Sequence, residues 1–257
     1  MHNQTAFYGR QLLLGGAKRN AVLHLWEAQR YGADSFGDSD YVSIYGMRPG
    51  EWYAKGVRLL GRTAVECTRD ALAQAIGKDI AALAARAPAA AAPLIIDPFV
   101  GSANTLYWIA RELGAARGVG FELDPLVFQL THQNIAALAL PLDIVQADYV
   151  SGLASIAPAT NQLVIGFIAP PWGQALSAQS GLDLRRTSPP VSDVVQAFGA
   201  WFPYGPLLCA IQIYETVQPD SLSELAQRFD WSQMKIYALN APGTNHGVLL
   251  GTRGWKP

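Results

Sequence analysis

Cysteine is scarce in this sequence, with only Cys67 and Cys209 among its 257 residues. Two cysteines cannot supply a disulfide framework or a cysteine-based metal centre. We therefore expect a reducing compartment, in which each thiol packs as a small core residue. The four histidines show no spacing typical of metal ligands, so no metal site is indicated.

Long apolar runs and an excess of charge are missing as well. No segment has the length of a membrane span, and the first ten residues lack the apolar run of a signal peptide. We therefore expect a soluble, cytoplasmic protein. The formal net charge of −1 provides no global basic field, which counts against holding long nucleic acid by charge alone. A local basic patch remains compatible with this composition.

Two common catalytic motifs are absent from the chain. It contains no GxGxxG dinucleotide fingerprint, and no serine lies in the G-x-S-x-G context of many hydrolases. The length and the hydrophobic fraction of 50% fit one large α/β domain with an extension. We place the extension, helical or irregular, at residues 1–88 and the α/β domain at residues 89–257.

The segment LIIDPFVGSAN, residues 94–104, is the most informative stretch of the chain. Its three apolar residues predict a buried parallel strand that ends at Asp97. Gly101 allows a tight turn, and a helix is expected from near Asn104 to a stop at Gly114. An open α/β sheet builds a nucleotide site from this succession of strand, glycine turn and helix.

The later chain alternates between strand and helix patterns, which predicts a doubly wound, mostly parallel seven-stranded sheet. Asp124 and Pro125 form a helix cap with proline at the first helical position, and that helix should reach residue 138. Because the connection at residues 240–245 holds no helix, we expect the last two strands to pair antiparallel. The six further strands are expected at residues 118–123, 143–148, 162–169, 207–214, 234–239 and 246–253, and two further helices at 192–201 and 221–229.

The extension has weaker signals. We expect a helix over residues 18–31 that Gly32 ends, a loop at 32–40, a helix at 52–60 and another that Thr68 caps. An alanine-rich linker at residues 87–93 then leads into the first strand. The extension could serve as a lid, a substrate platform or an oligomer contact, and the sequence assigns no oligomeric state.

Acidic residues end three successive predicted strands: Asp97, Glu122 and Asp148. Ligands bind at this edge of a doubly wound sheet. Glu122 is placed to accept from a ribose diol, and Asp148 from an exocyclic amine such as that of adenine. Asp97 could order the turn or meet a cationic group. For each acid alone, a solvated strand end or a helix cap is the alternative.

The fourth predicted strand ends in APPWG, residues 169–173. Its two prolines leave no amide donors, so the carbonyl groups of Ala169 and Pro170 can face a ligand. Trp172 offers a flat face on which a planar heteroaromatic ring can stack. The alternative is a tryptophan that packs under the sheet.

Together, the motifs DPFVGSAN, GFELDP, QADY and APPWG resemble class I S-adenosylmethionine-dependent methyltransferases with a Rossmann-like fold. Within that class they resemble the amino-methylating branch, and most nearly the trimethylguanosine synthase family of RNA cap guanine-N2 methyltransferases. Bacterial rRNA guanine-N2 methyltransferases are more distantly similar. The resemblance covers about residues 50–215. It includes the segment at residues 52–76, which lies upstream of the four motifs.

This resemblance implies S-adenosyl-L-methionine as the cofactor. Its implied binding residues are Thr68, Asp97, Phe99, Gly101, Asn104, Glu122, Leu123, Asp148 and Tyr149. Ala169 and Pro170 would receive the acceptor amine, and Pro171 and Trp172 would hold its ring. Arg185 and Arg186 could clamp a substrate phosphate, the alternative being two solvated loop arginines.

Ala169 departs from the family pattern, which has a side chain there that hydrogen-bonds the acceptor. Alanine cannot orient or deprotonate an amine, so we name no general base. Our first hypothesis is direct in-line methylation of an exocyclic amine of a guanine-like base in RNA or a nucleotide. The alternatives are a small-molecule acceptor in a biosynthetic pathway and a non-catalytic cofactor-binding scaffold.

Overall fold

The architecture is taken from a computed structural model that describes residues 7–114, 116–159, 161–177, 179–240 and 244–257. Seven strands form one sheet in the order β3-β2-β1-β4-β7-β9-β8, and β5 pairs with β6 in a separate hairpin. The strands are β1 (Ala91–Asp97), β2 (Arg117–Glu122), β3 (Leu142–Gln146), β4 (Gln162–Ile168), β5 (Leu176–Ser177), β6 (Gly181–Leu182), β7 (Leu207–Tyr214), β8 (Trp231–Tyr237) and β9 (His246–Arg253).

All neighbouring pairs from β3 to β7 are parallel, whereas β9 runs antiparallel to both β7 and β8. The predicted seven-stranded, mostly parallel sheet with an antiparallel last strand is therefore confirmed. Residues 241–243 of the connection that was expected to lack a helix lie outside the described residues.

Helices cover both faces of the sheet, which makes three layers. They are α1 (Arg10–Leu14), α2 (Leu25–Phe36), α3 (Pro49–Ala54), α4 (Gly61–Glu66), α5 (Asp70–Ala84), α6 (Asn104–Leu113), α7 (Pro125–Ala137), α8 (Tyr149–Ala154), α9 (Val191–Trp201) and α10 (Pro219–Ala226). No helix in the described part of the chain combines the length and the apolar character that crossing a membrane requires.

Strand β1 lies in the middle of the fold because its side chains are apolar on both faces. Ile95 belongs to a hydrophobic cluster with residues of α5, α6 and α7. Leu94 and Ile96 belong to a second cluster with residues of α8, α9 and α10. Alternate residues of a strand point to opposite faces, so a continuous apolar run is what a doubly covered strand requires.

Helix α7 begins as the sequence indicates. Asp124 is its N-cap residue, and one carboxylate oxygen accepts from the backbone N–H groups of Leu126 at 2.9 Å and Val127 at 3.2 Å. Pro125 occupies the first helical position, where no hydrogen-bond donor is needed. The carboxylate also pairs with Arg62 of α4 at 2.7 Å, which ties the extension to this helix.

Several sequence-based boundaries in the extension are wrong. The helix predicted from residue 18 begins only at Leu25, and the predicted linker at residues 87–93 already contains the start of β1 at Ala91. Thr68 does not cap the next helix, because α5 begins at Asp70 with Arg69 at the cap. The helix predicted over residues 52–60 is also wrong, because α3 ends at Ala54 and the next helix, α4, begins only at Gly61. Gly32 does not end α2, which continues to Phe36 and makes the start of the predicted 32–40 loop helical.

Close packing explains the glycine at position 32. A Cβ atom there would lie 2.3 Å from the carbonyl oxygen of Asp38 and 3.1 Å from the Cβ of Tyr41. A side chain would therefore collide with the segment that folds back over the helix. Gly32 serves this contact rather than ending the helix.

The extension shares a core with the sheet. Trp52 and Ile76 belong to the same hydrophobic cluster as Ile95 of β1. The predicted division near residue 88 falls between α5 and β1, and it stays a prediction. Within the extension, the fully buried Glu27 pairs with Lys18 at 2.6 Å and accepts from Tyr8 at 3.0 Å.

Replacement of Asp124 by alanine should lower the free energy of unfolding by at least about 1 kcal/mol, because it removes the N-cap of α7 and also the partner of Arg62. Urea denaturation measures this change. The control is Asp143→Ala, which breaks a solvent-exposed pair with Arg117 at 3.2 Å and should cost less than about 0.5 kcal/mol. Equal losses in the two variants would contradict the capping role.

Candidate functional site

The carboxyl ends of three parallel strands meet at one edge of the sheet. Strand β1 pairs in parallel with β2 on one side and with β4 on the other. Asp97 at the end of β1 and Glu122 at the end of β2 therefore lie beside each other. The segment after β4, which carries Trp172, begins at the same edge. The sheet thus brings the first two predicted acids together and directs both motifs to one crevice.

The glycine turn after β1 closes over the carboxylate of Glu122. The N–H of Gly101 donates to Oε2 of Glu122 at 3.1 Å, and the N–H of Asp124 donates to Oε1 at 2.8 Å. Gly101 adopts a φ of 48°, in the left-handed region that favours glycine. Asp97 Oδ1 accepts from the N–H of Phe99 at 3.0 Å. The two acids therefore order the turn.

Burial makes this pair of carboxyl groups electrostatically unusual. Asp97 is only 2% exposed, and burial, with a smaller contribution from the negative charge of Glu122, raises the pKa of Asp97 to about 7. Burial also raises the pKa of Glu122, against the lowering effect of its two backbone hydrogen bonds and of Arg62. Adding a positive charge here would be favourable, because it would compensate two poorly solvated carboxylates.

Aromatic and acidic side chains follow β3. The rings of Phe99 and Tyr149 have centroids 5.8 Å apart, so the turn after β1 and helix α8 meet. Asp148 caps α8 by accepting from the N–H groups of Val150 and Ser151. A hydrogen bond from the Ser151 hydroxyl is the main cause that lowers the pKa of Asp148. These hydrogen bonds within α8 use both carboxylate oxygens of Asp148, the residue that was expected to bind the adenine amine.

Leu123, which follows β2, is 70% exposed. A large apolar side chain that is already exposed at this edge can pack on a flat ring, and no other part of the protein has to move away first. It lies one residue beyond Glu122, on the side of the crevice that β2 and β3 form.

The APPWG segment places an aromatic cluster at the end of β4. Ala169 is half-buried, Pro170 is buried and Pro171 is exposed. The ring of Trp172 lies 5.1 Å from that of His246 and 6.2 Å from that of Tyr214, between centroids. Trp172 is half-buried, so its ring both packs and stays partly accessible.

His246 reaches this edge because of strand direction. Strand β9 is antiparallel to β7, and its first residue pairs with Tyr214 at the carboxyl end of β7. The place of His246 beside Trp172 was not predicted, because the spacing of the histidines was compared only with that of metal ligands. The expected reversal of the last strand was the signal that could have found it.

Hydrogen bonds of Thr68 and Asn104 connect the extension to the α/β domain. The side-chain amide of Asn104 accepts from the N–H of Tyr45 at 2.6 Å and donates to the carbonyl of Thr68 at 2.7 Å. The Thr68 hydroxyl donates to Oε1 of Gln212 at 3.2 Å. Both polar groups of Asn104, a buried residue, are therefore used within the protein.

Arg185 is already paired. Its guanidinium contacts both oxygens of Asp183, at 2.9 and 3.1 Å, and Glu224 at 3.2 Å. Two carboxylates thus neutralise the side chain that was expected to clamp a phosphate. Arg186 is exposed on the same loop. Within the described ranges, no group of three or more histidine, cysteine or acidic residues is arranged to hold a metal ion.

The strand order and the single reversed strand define the fold of class I methyltransferases. The methyltransferase domain of METTL16 superimposes with a TM-score of 0.50 at 11% identity, over 73% of this chain and 70% of that one. A second crystal form gives 0.51 with the same identity and coverage. The human methyltransferase 10 domain containing protein gives 0.49 at 12% identity, over 68% and 81%. No protein-family model matches this chain, and no curated protein matches its sequence.

Replacement of Asp97 by asparagine should stabilise the protein at alkaline pH. An acid whose pKa is raised on folding adds stability at low pH and loses that contribution as pH rises toward 7. The stability gain of Asp97→Asn over the wild type should therefore widen between pH 4 and pH 8, by about 1.4 kcal/mol for each unit of pKa shift. Urea unfolding at several pH values measures the difference.

The control for this measurement is Asp148→Asn. The pKa of Asp148 is lowered in the fold, so its replacement should give no gain that grows between pH 4 and pH 8. A pH-independent difference between wild type and Asp97→Asn would contradict a raised pKa at Asp97.

Proposed function

We propose that this protein is an S-adenosyl-L-methionine-dependent methyltransferase. The observation that carries the proposal is a pair of carboxyl groups, the buried Asp97 and the half-buried Glu122, under the glycine turn at the ligand edge of a methyltransferase fold. The proposed cofactor carries a positive sulfonium, a positive ammonium and a ribose diol. An anionic, partly desolvated wall with carboxylate acceptors suits each of these groups.

The residues around the pair would divide the binding task. Glu122 would accept from the ribose hydroxyls while the Gly101 N–H holds its other side. Asp97 and Phe99 would border the methionine end, and Asp148 the adenine amine. The apolar side chain of Leu123 and the ring of Tyr149 would cover the adenine.

In this proposal the chemistry needs alignment more than acid–base help. The bound cofactor would supply an electrophilic methyl group on sulfur. The carbonyl groups of Ala169 and Pro170 would hold the N–H groups of the acceptor amine so that its lone pair faces that methyl group. Trp172 would stack on the acceptor ring. The proton would leave to water after transfer, because alanine at position 169 cannot accept it.

The proposed acceptor is an exocyclic amine of a guanine-like base in RNA or a nucleotide. Its support beyond the motif resemblance is charge. Residues 1–88 contain eleven lysines and arginines against eight aspartates and glutamates, although the whole chain is slightly acidic. The pKa of His246 is lowered to about 4. Burial is the largest cause, and the positive charges of Arg10 and Arg69 are the next largest. Two cations of the extension therefore lie near the aromatic cluster, where a phosphate group would be attracted.

A small-molecule acceptor is the second candidate, favoured by the overall net charge of −1. Labelled cofactor incubated with total RNA, and separately with small-molecule extracts, distinguishes the two. Label in RNA supports the first candidate, and label only in the extracts supports the second. Cofactor binding without transfer to any acceptor would instead support a non-catalytic scaffold, and absence of cofactor binding in calorimetry would refute all three.

Replacement of Glu122 by glutamine should weaken cofactor binding at least tenfold, because it removes a charged acceptor of two ribose hydrogen bonds. Isothermal titration calorimetry with S-adenosylmethionine measures the dissociation constant. Trp172→Ala should leave that constant unchanged and raise KM for the acceptor. The matched control is Asp143→Asn on β3, where an exposed carboxylate faces Arg117. A cofactor affinity that Glu122→Gln leaves intact would contradict the assignment of the ribose site.

Replacement of the exposed Arg10 by glutamine should raise KM for an RNA acceptor several-fold and make activity less sensitive to salt, because one phosphate contact is lost. Methyl transfer measured over a range of salt concentrations tests this. Arg86→Gln is the control, since Arg86 lies in the connection between α5 and β1, which leads to the amino end of β1 and so to the opposite edge of the sheet. If both variants behave alike, the extension does not contact the substrate through Arg10.

A further inference from the structure

A polar chain crosses the molecule from the glycine turn to the aromatic cluster. Asn104 at the start of α6 donates to Thr68, and the Thr68 hydroxyl donates to Oε1 of Gln212. Nε2 of Gln212 lies 3.1 Å from Nδ1 of His246. Gln212 is 8% exposed and sits inside β7, so its amide is fixed between the threonine and the histidine.

The orientation of Gln212 determines the tautomer of His246. An amide nitrogen can only donate, so Nδ1 of His246 accepts and its proton is on Nε2. The ring is uncharged at neutral pH, because burial is the main cause that lowers its pKa to about 4; Arg10 and Arg69 add to this effect and Glu215 opposes it. His246 therefore presents one N–H donor and no free base.

The Nε2–H group is accessible to a ligand. Among the described residues, none accepts a hydrogen bond from it, and the buried side-chain polar atoms without partners are Nε of Arg62 and Nε1 of Trp255. An unpaired Nε2–H of His246 must therefore lie where solvent or a ligand can reach it. The ring that carries it is 5.1 Å from Trp172 and 6.0 Å from Tyr214, between centroids.

We infer that His246 is a specificity-determining residue, whose Nε2–H donates a hydrogen bond to an acceptor atom on the edge of the planar ring that Trp172 holds. This inference rests on the proposed methyl transfer and narrows its substrate class. The ring must carry a carbonyl oxygen or an unprotonated ring nitrogen as well as the amine. A purine with an oxo group has both, whereas an aliphatic amine or an unsubstituted aniline has no such atom.

Gln212 and Thr68 are positioning residues in this arrangement. They contact no substrate atom, and they act by keeping the donor on Nε2. Replacing the glutamine by glutamate would put an acceptor opposite Nδ1 and favour a proton there. The histidine would then present an unprotonated Nε2 to the ligand, or become charged, and would lose the complementarity described above.

Nitrogen NMR of histidine-labelled, full-length protein tests the tautomer without any activity measurement. The His246 signals are assigned by their loss in His246→Gln. At pH 7 we expect Nε2 protonated and Nδ1 unprotonated in the wild type, and a changed state in Gln212→Glu. Addition of guanosine 5′-monophosphate should shift the Nε2 signal, and ribose 5-phosphate should not. A proton on Nδ1, or an Nε2 signal that both compounds leave unchanged, would overturn the inference.

Kinetics with the same acceptor separate this inference from the proposed function. His246→Leu keeps an apolar side chain beside Trp172 but removes the donor, and KM for the acceptor should rise about tenfold. His246→Gln restores an N–H donor at a similar reach and should recover part of that loss. Calorimetric affinity for S-adenosylmethionine should be the same in all three proteins.

The possible outcomes are distinct. If the cofactor binds and His246→Leu has the wild-type KM, the role of His246 is wrong and the methyltransferase proposal stands. If the wild type does not bind the cofactor, the proposed function itself fails and the inference fails with it.

Discussion

The buried carboxyl group of Asp97 lies beside the half-buried carboxyl group of Glu122, and the rest of the site depends on this placement. Parallel pairing of β1 with β2 brings the two groups together. The N–H groups of Phe99 and Gly101 bind them, so the acids shape the turn that follows β1. The same burial that makes the pair costly in the folded protein makes the crevice attractive to a cation.

The extension completes the site rather than merely preceding it. Asn104, at the first turn of α6, is bonded to the backbone of Tyr45 and of Thr68. Arg62 pairs with the capping carboxylate of Asp124, two residues from Glu122, and its charge favours the ionised form of Glu122. The extension therefore contributes both mechanical support and charge to the carboxyl edge of the sheet.

Much of the α/β domain could be predicted from sequence because local signals there agree with the tertiary structure. A few adjacent residues are enough to determine each of three features: the apolar run of β1, the helix from Asn104 and the Asp124 cap. The extension offered less, because its boundaries depend on distant contacts. Gly32 looks like a helix stop but is required by the close approach of Asp38.

The site also has a part that the sequence predicted and a part that it did not. Sequence motifs pointed to Asp97 and Glu122, since each ends its own strand, and the sheet brings those ends together. They could not reveal that Arg185 is neutralised by Asp183 and Glu224, nor that Thr68 is bonded to Gln212. Those contacts join residues far apart or depend on the path of a loop, which spacing along the chain does not encode.

Strand β9 runs against its neighbours, and this reversal has a consequence for how such a protein can diversify. Residues that border the proposed cofactor crevice follow the carboxyl ends of parallel strands, whereas His246 opens a strand of opposite direction. If the proposed roles hold, substitutions at the start of β9 alter the recognition of the acceptor while the strands that hold the cofactor keep their sequences. In this way a common scaffold could acquire new acceptors through changes in the few residues that open β9.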